Sequence, residues 1–170
     1  MDKERKREIE KLLSQFSILI KNLSMNVENV ELELFDEALT HSSYAKECRD
    51  KNLKCTDNER LEFLGDRVLS LFLAEKLYRD TNLNEEQMTK ALQILSNKNL
   101  AWLGRKIPCF EKSIHLGGSE SKKEIVEDSI VANALEAFIG AVYLTFGVST
   151  TRKFVTNLFK EEIERYLAWE

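Results

Sequence analysis

Residues 58–66 read NERLEFLGD, and three of them are acidic and spaced as on one face of a helix. Glu59, Glu62 and Asp66 stand at i, i+3 and i+7, so an α-helix brings their side chains into one stripe. Gly65 lies between two of them, although a glycine inside a helix costs about 1 kcal/mol relative to alanine. Its missing side chain would leave room for a metal ion, a ligand or a neighbouring helix.

The segment that follows, as far as Arg79, is apolar on nearly every side. This pattern predicts a central helix that is buried all round. Thr56 and Glu59 have the T-x-x-E spacing of a capping box, which predicts Thr56 as the residue that caps the start of this helix.

A second apolar segment, residues 124–146, holds the other unexpected polar pair. Asn133 and Glu136 stand at i and i+3 among Val, Ala, Leu, Phe and Ile residues, and Gly147 predicts the end of this helix. A buried carboxylate without a partner is unfavourable. We therefore expect a cation to compensate Glu136.

The residues alone allow three kinds of cation as partners of these carboxylates. Arg60 and Arg67 could form salt bridges within the first helix. A hard ion such as Mg²⁺ prefers oxygen ligands, and two facing helices would bring both acidic groups to one or two such ions. Di-iron sites in helical bundles use Glu-x-x-His pairs. Neither His41 nor His115 has that spacing, which disfavours iron.

The chain as a whole is predicted to be an all-α helical bundle. Its 170 residues suit one domain, with 43% hydrophobic residues and a single proline. We divide it into an N-terminal amphipathic helix, residues 1–25, packed on a domain of residues 26–170. Further helices are predicted over Phe35–Lys46, from the N-cap Asn84 towards Asn97, over Asn99–Lys106 and after residues 149–151.

Two features bear on the compartment. Residues 1–10 alternate basic and acidic residues, unlike a signal peptide. The apolar segment Ile130–Val148 contains an interior carboxylate, so we interpret this segment as a buried helix and expect no membrane partner. The cysteines show no CxxC spacing, so we expect no disulfide and a reducing, intracellular compartment, cytoplasmic or nuclear. They are Cys48, Cys55 and Cys109.

The segment 58–69 resembles the signature helix of the ribonuclease III family nearly residue for residue over NERLEFLGD. Upstream, residues 38–45, ALTHSSYA, resemble the family's Ala-Leu-Thr-His segment. Downstream, residues 95–101 are similar to its middle helices, and residues 129–140, SIVANALEAFIG, to its second metal-binding helix. The resemblance is to the larger endonuclease-domain type, and it implies that fold and a two-fold homodimer.

The resemblance implies a Mg²⁺-dependent endoribonuclease, with Mn²⁺ as a substitute. Such an enzyme cuts double-stranded RNA with metal-activated water and leaves 5′-phosphate and 3′-hydroxyl ends, with 3′ overhangs of about two nucleotides. By motif position, Glu62, Asp66 and Glu136 are catalytic and, together with Asn133, bind the metal. The family usually has aspartate where Asn133 stands, and an amide oxygen is a ligand without charge.

The resemblance also assigns residues to RNA and to the partner subunit. Glu59 matches a position linked to both RNA contact and the dimer interface, and Phe63 matches the residue that inserts into the partner. Glu127 and Asp128 replace a basic–acidic pair of the family, so we expect them to add negative charge near the site. The candidate basic contacts for RNA are Arg60, Arg67, Lys98, Lys122 and Lys123.

A second class of function stays open, namely a non-catalytic relative that keeps the fold as a dimeric RNA- or protein-binding subunit. The net charge of −4 disfavours nucleic-acid binding on its own, although metal on three carboxylates would leave the rest of the chain near −1. No double-stranded-RNA-binding module follows the last predicted helix. We therefore expect weak, salt-dependent RNA binding and a separate RNA-binding module or protein as a further partner. His41 is expected to make structural hydrogen bonds.

Overall fold

The computed structural model describes residues 1–19 and 31–167, and these residues are all-α, as predicted. They hold no β-strand, only an isolated bridge between Thr40 and His115. Short 3₁₀ turns lie at Leu92–Leu95, Glu111–Ser113 and Glu120–Lys122. The helices are α1 Lys3–Leu19, α2 Leu32–Ala38, α3 Ser42–Asp50, α4 Glu59–Asp80, α5 Glu85–Ala91, α6 Asn97–Lys106, α7 Asp128–Leu158 and α8 Lys160–Leu167.

Helices α4 and α7 form the centre of the fold and contact each other backbone to backbone. A Cβ atom added to Gly65 would lie 1.8 Å from the carbonyl oxygen of Glu136. A Cβ atom added to Gly140 would lie 2.5 Å from the carbonyl oxygen of Leu61. Neither position has room for a side chain, so the two glycines fix where the helices cross. The room that the sequence predicted beside Gly65 is taken by a neighbouring helix.

Phenylalanines fill the core around this crossing. Phe16 of α1 stacks on Phe138 of α7 with ring centroids 4.2 Å apart, and Phe35 and Phe110 contact the same ring at 5.1 and 5.8 Å. The predicted boundary between residues 25 and 26 falls outside the described residues and stays a prediction. The other fully buried side chains of α1 are Ile9, Leu12 and Leu13.

Helix α7 is the membrane-like segment of the sequence. By length and composition it is the one helix of residues 1–19 and 31–167 that could cross a membrane, but 61% of its most apolar 18-residue window is buried inside the fold. The helix is apolar because it is the core helix, which confirms the interpretation of Ile130–Val148 as a buried segment. The exposed large apolar side chains of Ile130–Val148 are Leu144 and Val148, near the end of that segment.

The chain does not form one long last helix after Gly147. Gly147 has φ 75° and ψ −179°, non-helical angles that end the first part of α7 as predicted, and a second helical part follows the kink as far as Leu158. A positive φ of this size favours glycine because other residues clash there. A separate helix begins at Lys160. The prediction of a single helix is therefore wrong, because the chain turns again at the buried Phe159.

The segment Phe35–Lys46, predicted as one helix, forms parts of α2 and α3. The break comes where the backbone pairs with another loop: the His41 N–H donates to the His115 carbonyl at 3.1 Å, and the His115 N–H donates to the Leu39 carbonyl at 2.7 Å. The His41 ring then caps α3 by accepting from the Ser43 N–H at 3.3 Å. The structural role expected for His41 is confirmed.

Helix α4 begins at Glu59, with Asn58 rather than Thr56 at its N-cap. The Asn58 side chain is buried and donates to the Ala38 carbonyl at 3.3 Å, while its backbone N–H donates to the Thr40 carbonyl at 3.0 Å. The predicted capping box is wrong because this segment is anchored to the end of α2, which sets the start of α4.

One face of α4 is open, so the prediction that this helix is buried all round is wrong. Phe63, Leu71 and Tyr78 are 67%, 62% and 76% exposed. Their spacing of eight and seven residues places them on one stripe. The other helices cover only the opposite side of α4. Such a line of exposed apolar side chains is typical of an interaction surface.

Cys48 and Cys55 are joined by a disulfide, with Cα atoms 5.9 Å apart. The expectation of no disulfide is therefore wrong for this pair. The spacing rule failed because the loop after α3 turns back on that helix, within the Cα distance that a disulfide spans. Cys109 is free and exposed.

We predict that Gly65→Ala lowers the free energy of unfolding by more than about 3 kcal/mol, because the new methyl group meets the backbone of α7, which cannot move aside. Gly104→Ala is the matched comparison. There a Cβ atom would meet the Val131 side chain at 2.9 Å, and a side chain can shift, so we expect a loss of about 1–2 kcal/mol. Urea unfolding followed by circular dichroism measures both. Equal losses would contradict the backbone contact.

Candidate active site

A cavity of about 500 Å³ lies where α4 and α7 meet, and polar side chains line most of it. Glu62 and Asp66 reach it from α4, and Asn133 and Glu136 reach it from α7. The structure thus brings together the four residues that the sequence assigned to metal. The remaining lining residues are His41, Ser42, Asn58, Glu59, Phe63 and Arg67.

Glu136 has the most perturbed ionisation of the site. Burial, and then the negative charges of Asp66 and Glu62, raise the pKa of Glu136 to about 7, while Arg67 acts in the opposite direction. A half-buried carboxylate facing two others is the arrangement for which the sequence predicted a compensating cation.

The pKa of Glu62 is raised as well, first by burial and then by the charges of Glu59 and Asp66, while a hydrogen bond from the Asn133 side chain lowers it. An amide can donate from its nitrogen and still present its oxygen to a ligand. The Asn133 side chain thus lies next to the Glu62 carboxylate.

Asp66 alone of the three catalytic candidates has a basic partner within ion-pair distance among the described residues. An Arg67 guanidinium nitrogen lies 3.1 Å from its carboxylate, and the Ser70 hydroxyl is 3.5 Å from the other oxygen. The Arg67 guanidinium also lies over the Phe63 ring, 5.5 Å from its centroid. The salt-bridge alternative thus holds for Asp66, whereas Glu62 and Glu136 form no ion pair in residues 1–19 and 31–167.

The donor set fits a hard divalent cation. Three carboxylates and one amide supply the oxygen ligands that Mg²⁺ prefers, and a cation would relieve the burial and repulsion that raise the pKa of Glu136. In the part of the chain that the structure describes, no three His, Cys, Asp or Glu side chains are drawn close enough to hold an ion. Like charges repel, so carboxylates spread apart unless a cation lies between them.

The candidate RNA contacts fall into two groups. Glu59 lines the acidic cavity, and Arg60 lines a neighbouring cavity of about 610 Å³ together with Glu59 and Phe63. The lysines line neither cavity. Lys123 is held by Glu120 at 2.8 Å and Glu127 at 2.6 Å. Of the other candidate lysines, Lys98 and Lys122 are exposed and form no ion pair among the described residues.

The acidic residues at the start of α7 do not add free charge near the cavity, contrary to expectation. Asp128 accepts from Arg105 at 2.5 Å, and Glu127 pairs with Lys123. Each negative charge is thus matched by a basic side chain from the preceding segments.

Four other residues that line the cavity were not predicted from the sequence. Asn58 and Ser42 were noted only as parts of matched segments, His41 only for its structural bonds, and Arg67 only as a possible counter-ion or RNA contact. The signal for Asn58 was a polar residue that begins an apolar helix. Ser42 and His41 reach the cavity only through the backbone pairing of α2 and α3 with His115.

Comparison with known proteins gives consistent matches. The sequence model described as Ribonuclease-III-like matches residues 31–163. Ribonuclease 3 of Borreliella burgdorferi is 39% identical over 148 residues, which are 86% of this chain and 58% of that protein. Ribonuclease 3 of Caldanaerobacter subterraneus is 40% identical over 146 residues, which are 84% of this chain and 62% of that protein. The chain thus spans about three fifths of the length of these relatives.

The fold has a counterpart of nearly its own length among solved structures. The nuclease domain of ribonuclease III from Campylobacter jejuni, described for flexibility in a region involved in dimer formation, matches with a TM-score of 0.69 and 27% identity. The match covers 89% of this chain and 99% of that domain. A 2.2 Å structure of the same domain gives a TM-score of 0.64 and 26% identity, over 88% and 94% of the two chains.

The helical fold and the carboxylate-lined cavity define an all-α domain of the nuclease-domain type. Relatives that are 39–40% identical over most of the chain assign this domain to one family. The chain belongs to the ribonuclease III family, and the resemblance drawn from residues 58–66 and 129–140 is confirmed.

We predict that Glu136→Gln stabilises the protein at pH 8 in the presence of a chelator. Because the folded-state pKa of Glu136 is raised to about 7, folding favours its protonated form, so stability falls as pH rises from about 4.5 to 7. At pH 8 the variant should be more stable by about 2 kcal/mol, which allows for partial solvent screening. At pH 4.5 the difference should vanish. Urea unfolding at both pH values measures it.

Glu75→Gln is the matched control, because Glu75 lies on α4 but pairs with Arg79 at 2.9 Å and Arg152 at 3.0 Å. It should bring no gain at pH 8. A gain for Glu136→Gln of the same size at both pH values would show that the effect is packing rather than charge.

Proposed function

We propose that this chain is the catalytic domain of an endoribonuclease that cuts double-stranded RNA with the help of Mg²⁺. The observation that carries this proposal is the half-buried Glu136, which faces Asp66 and Glu62 across a cavity of about 500 Å³. Membership in the ribonuclease III family supports the reaction class. The activity of whole relatives is carried over here as a proposal, because the chain spans only part of their length.

In this proposal Glu62, Asp66, Asn133 and Glu136 hold the ion, with Mn²⁺ as a substitute for Mg²⁺. When bound, the ion would supply an activated water for in-line attack on the phosphodiester and would stabilise charge on the leaving 3′ oxygen, leaving 5′-phosphate and 3′-hydroxyl ends. The Asn133 amide keeps Glu62 oriented.

The residues around the cavity have supporting roles. The half-burial of Glu136 limits water at that carboxylate. Arg67 neutralises Asp66 before an ion binds. Since Arg67 is exposed over Phe63 and at the mouth of the cavity, it can swing to a backbone phosphate once the ion takes over Asp66.

We propose Arg60, Lys98 and Lys122 as phosphate contacts, with Lys123 weakened in this role by its two glutamates. Glu59 would contact RNA where the cavities adjoin. Three such contacts would release few counterions, so binding should be weak. A separate RNA-binding module or protein would then supply further affinity. No membrane partner is proposed.

The site is proposed to act inside the cell. The relatives named above are bacterial, which supports the cytoplasm rather than a nucleus. Stable disulfides are rare in reducing compartments, so the Cys48–Cys55 bond would be transient there.

The catalytic proposal predicts that the chain cuts long double-stranded RNA at low salt with Mg²⁺ and not with a chelator. Glu136→Gln should slow cutting by at least about 100-fold, because a metal ligand worth several kcal/mol is lost, while RNA binding in a gel shift is retained. Asp80→Asn is the control, since Asp80 lies on α4, pairs with Lys76 and does not line the cavity; it should cut at the wild-type rate.

Intact RNA at high protein concentration, low salt and ample Mg²⁺ would favour the non-catalytic dimeric binding subunit. Equal loss of cutting and binding in Glu136→Gln would contradict the role given to Glu136.

We also propose that the chain forms a two-fold homodimer through the open face of α4. Phe63 is 67% exposed beside the cavity of about 610 Å³, which Leu64 and Leu144 also line. In a two-fold interface the same patch serves both copies, so each Phe63 can enter the partner's cavity, with Glu59 at the rim. Two active sites facing one duplex would then give the overhang of about two nucleotides.

This dimer predicts that Phe63→Ala sediments as a monomer at concentrations where the wild type is a dimer, because the exposed aromatic side chain is the anchor. Ile125→Ala is the control, since Ile125 is 75% exposed and lines neither cavity. An unchanged dimer in Phe63→Ala would place the interface elsewhere.

A further inference from the structure

A second cavity, of about 240 Å³, lies between α6, the end of α7 and the start of α8. Apolar side chains form much of its wall, and its polar lining residues are Lys106, Asn157, Glu161 and Glu162. It shares no lining residue with the acidic cavity at α4. Its apolar wall is made of Leu103, Ile107, Phe154 and Leu158.

Glu162 is the unusual residue of this cavity. Its side chain is only 6% exposed, and neither carboxylate oxygen has a hydrogen-bond partner within residues 1–19 and 31–167. A buried carboxylate without a partner is strongly unfavourable. Glu162 therefore lacks what almost every buried acidic side chain has, a cation or a set of donors.

The nearby basic side chains are engaged elsewhere. Lys106 pairs with Glu161 at 3.1 Å and lies 3.5 Å from the centroid of the Trp102 ring. Arg165 lies over the same ring at 5.6 Å. Lys106 and Asn157 also line the cavity, but no residue in 1–19 and 31–167 donates to Glu162. A ligand in the cavity could supply the donor.

We propose that this cavity binds a linear primary alkylamine, with its ammonium group on Glu162 and its alkyl chain against the apolar wall. An ammonium group supplies three donors and one positive charge, which matches two empty carboxylate oxygens. The volume is below the 300–1,000 Å³ of sites for drug-sized molecules, so a short aliphatic amine fits. The proposal does not depend on nuclease activity.

Isothermal titration of the metal-free protein with n-butylamine at neutral pH tests the proposal, in a buffer that contains no amine. We expect saturable one-to-one binding in the millimolar range, and binding of n-butanol weaker by at least about tenfold. Butanol has the same alkyl chain without the charge. Glu162→Gln keeps the shape of the side chain and should weaken butylamine binding by at least about tenfold.

Glu164→Gln is the matched control, because Glu164 also lies on α8 but is exposed, pairs with Lys160 at 3.8 Å and does not line this cavity. It should bind butylamine as the wild type does. Thermal unfolding of each variant without ligand checks that the fold is kept. No saturable binding, equal affinity for butanol, or equal binding by Glu162→Gln would overturn the proposal.

Discussion

The backbone contact between α4 and α7 at Gly65 and Gly140 is the constraint on which the site depends. Gly65 touches the carbonyl oxygen of Glu136 itself. Glu62 lies three residues before Gly65, and Asp66 lies directly after it. The contact between the helices therefore also determines which carboxylates line the cavity. A bulkier residue at either glycine would separate the helices and with them the ligand set. The cost of a glycine inside each helix is thus offset by the closeness of the helices.

The distribution of charge on the protein differs between the cavity and the rest of the surface. The net charge of −4 looked unfavourable for RNA, yet the structure matches most acidic side chains outside the cavity with basic ones, as at Arg105 with Glu111 and Asp128. Inside the cavity only Asp66 has such a partner. The cavity therefore holds a cluster of carboxylates without basic partners, which attracts a cation. Without the charges of Glu62, Asp66 and Glu136 the net charge of the chain is about −1, so its attraction for RNA is weak.

The sequence predicted what depends on local pattern and missed what depends on long-range pairing. Helical spacing singled out the polar groups of the two apolar helices, and the family resemblance assigned four of their residues to the metal. Asn84 was rightly expected to cap α5, where the structure adds a capping box with Gln87. The start of α4 could not be read from Thr56 and Glu59, because Asn58 is held by carbonyls of Ala38 and Thr40. The break between α2 and α3 likewise depends on His115, far along the chain. The exposed stripe from Phe63 to Tyr78 looked like core, since composition does not tell which side of a helix its neighbours cover.

The kink at Gly147 separates two acidic cavities that one helix helps to build. Before the kink, α7 supplies Asn133 and Glu136 to a polar cavity; beyond it, Phe154 and Leu158 supply an apolar wall beside Glu162. Beyond the kink, α7 still contacts α4, where Arg152 pairs with Glu75, and it also lines the second cavity together with α6. The carboxylates then differ in what can satisfy them. Glu136 lies near other carboxylates, which together would bind a hard metal ion. Glu162 lies in a cavity with apolar walls, where we propose that it binds the ammonium group of an alkylamine.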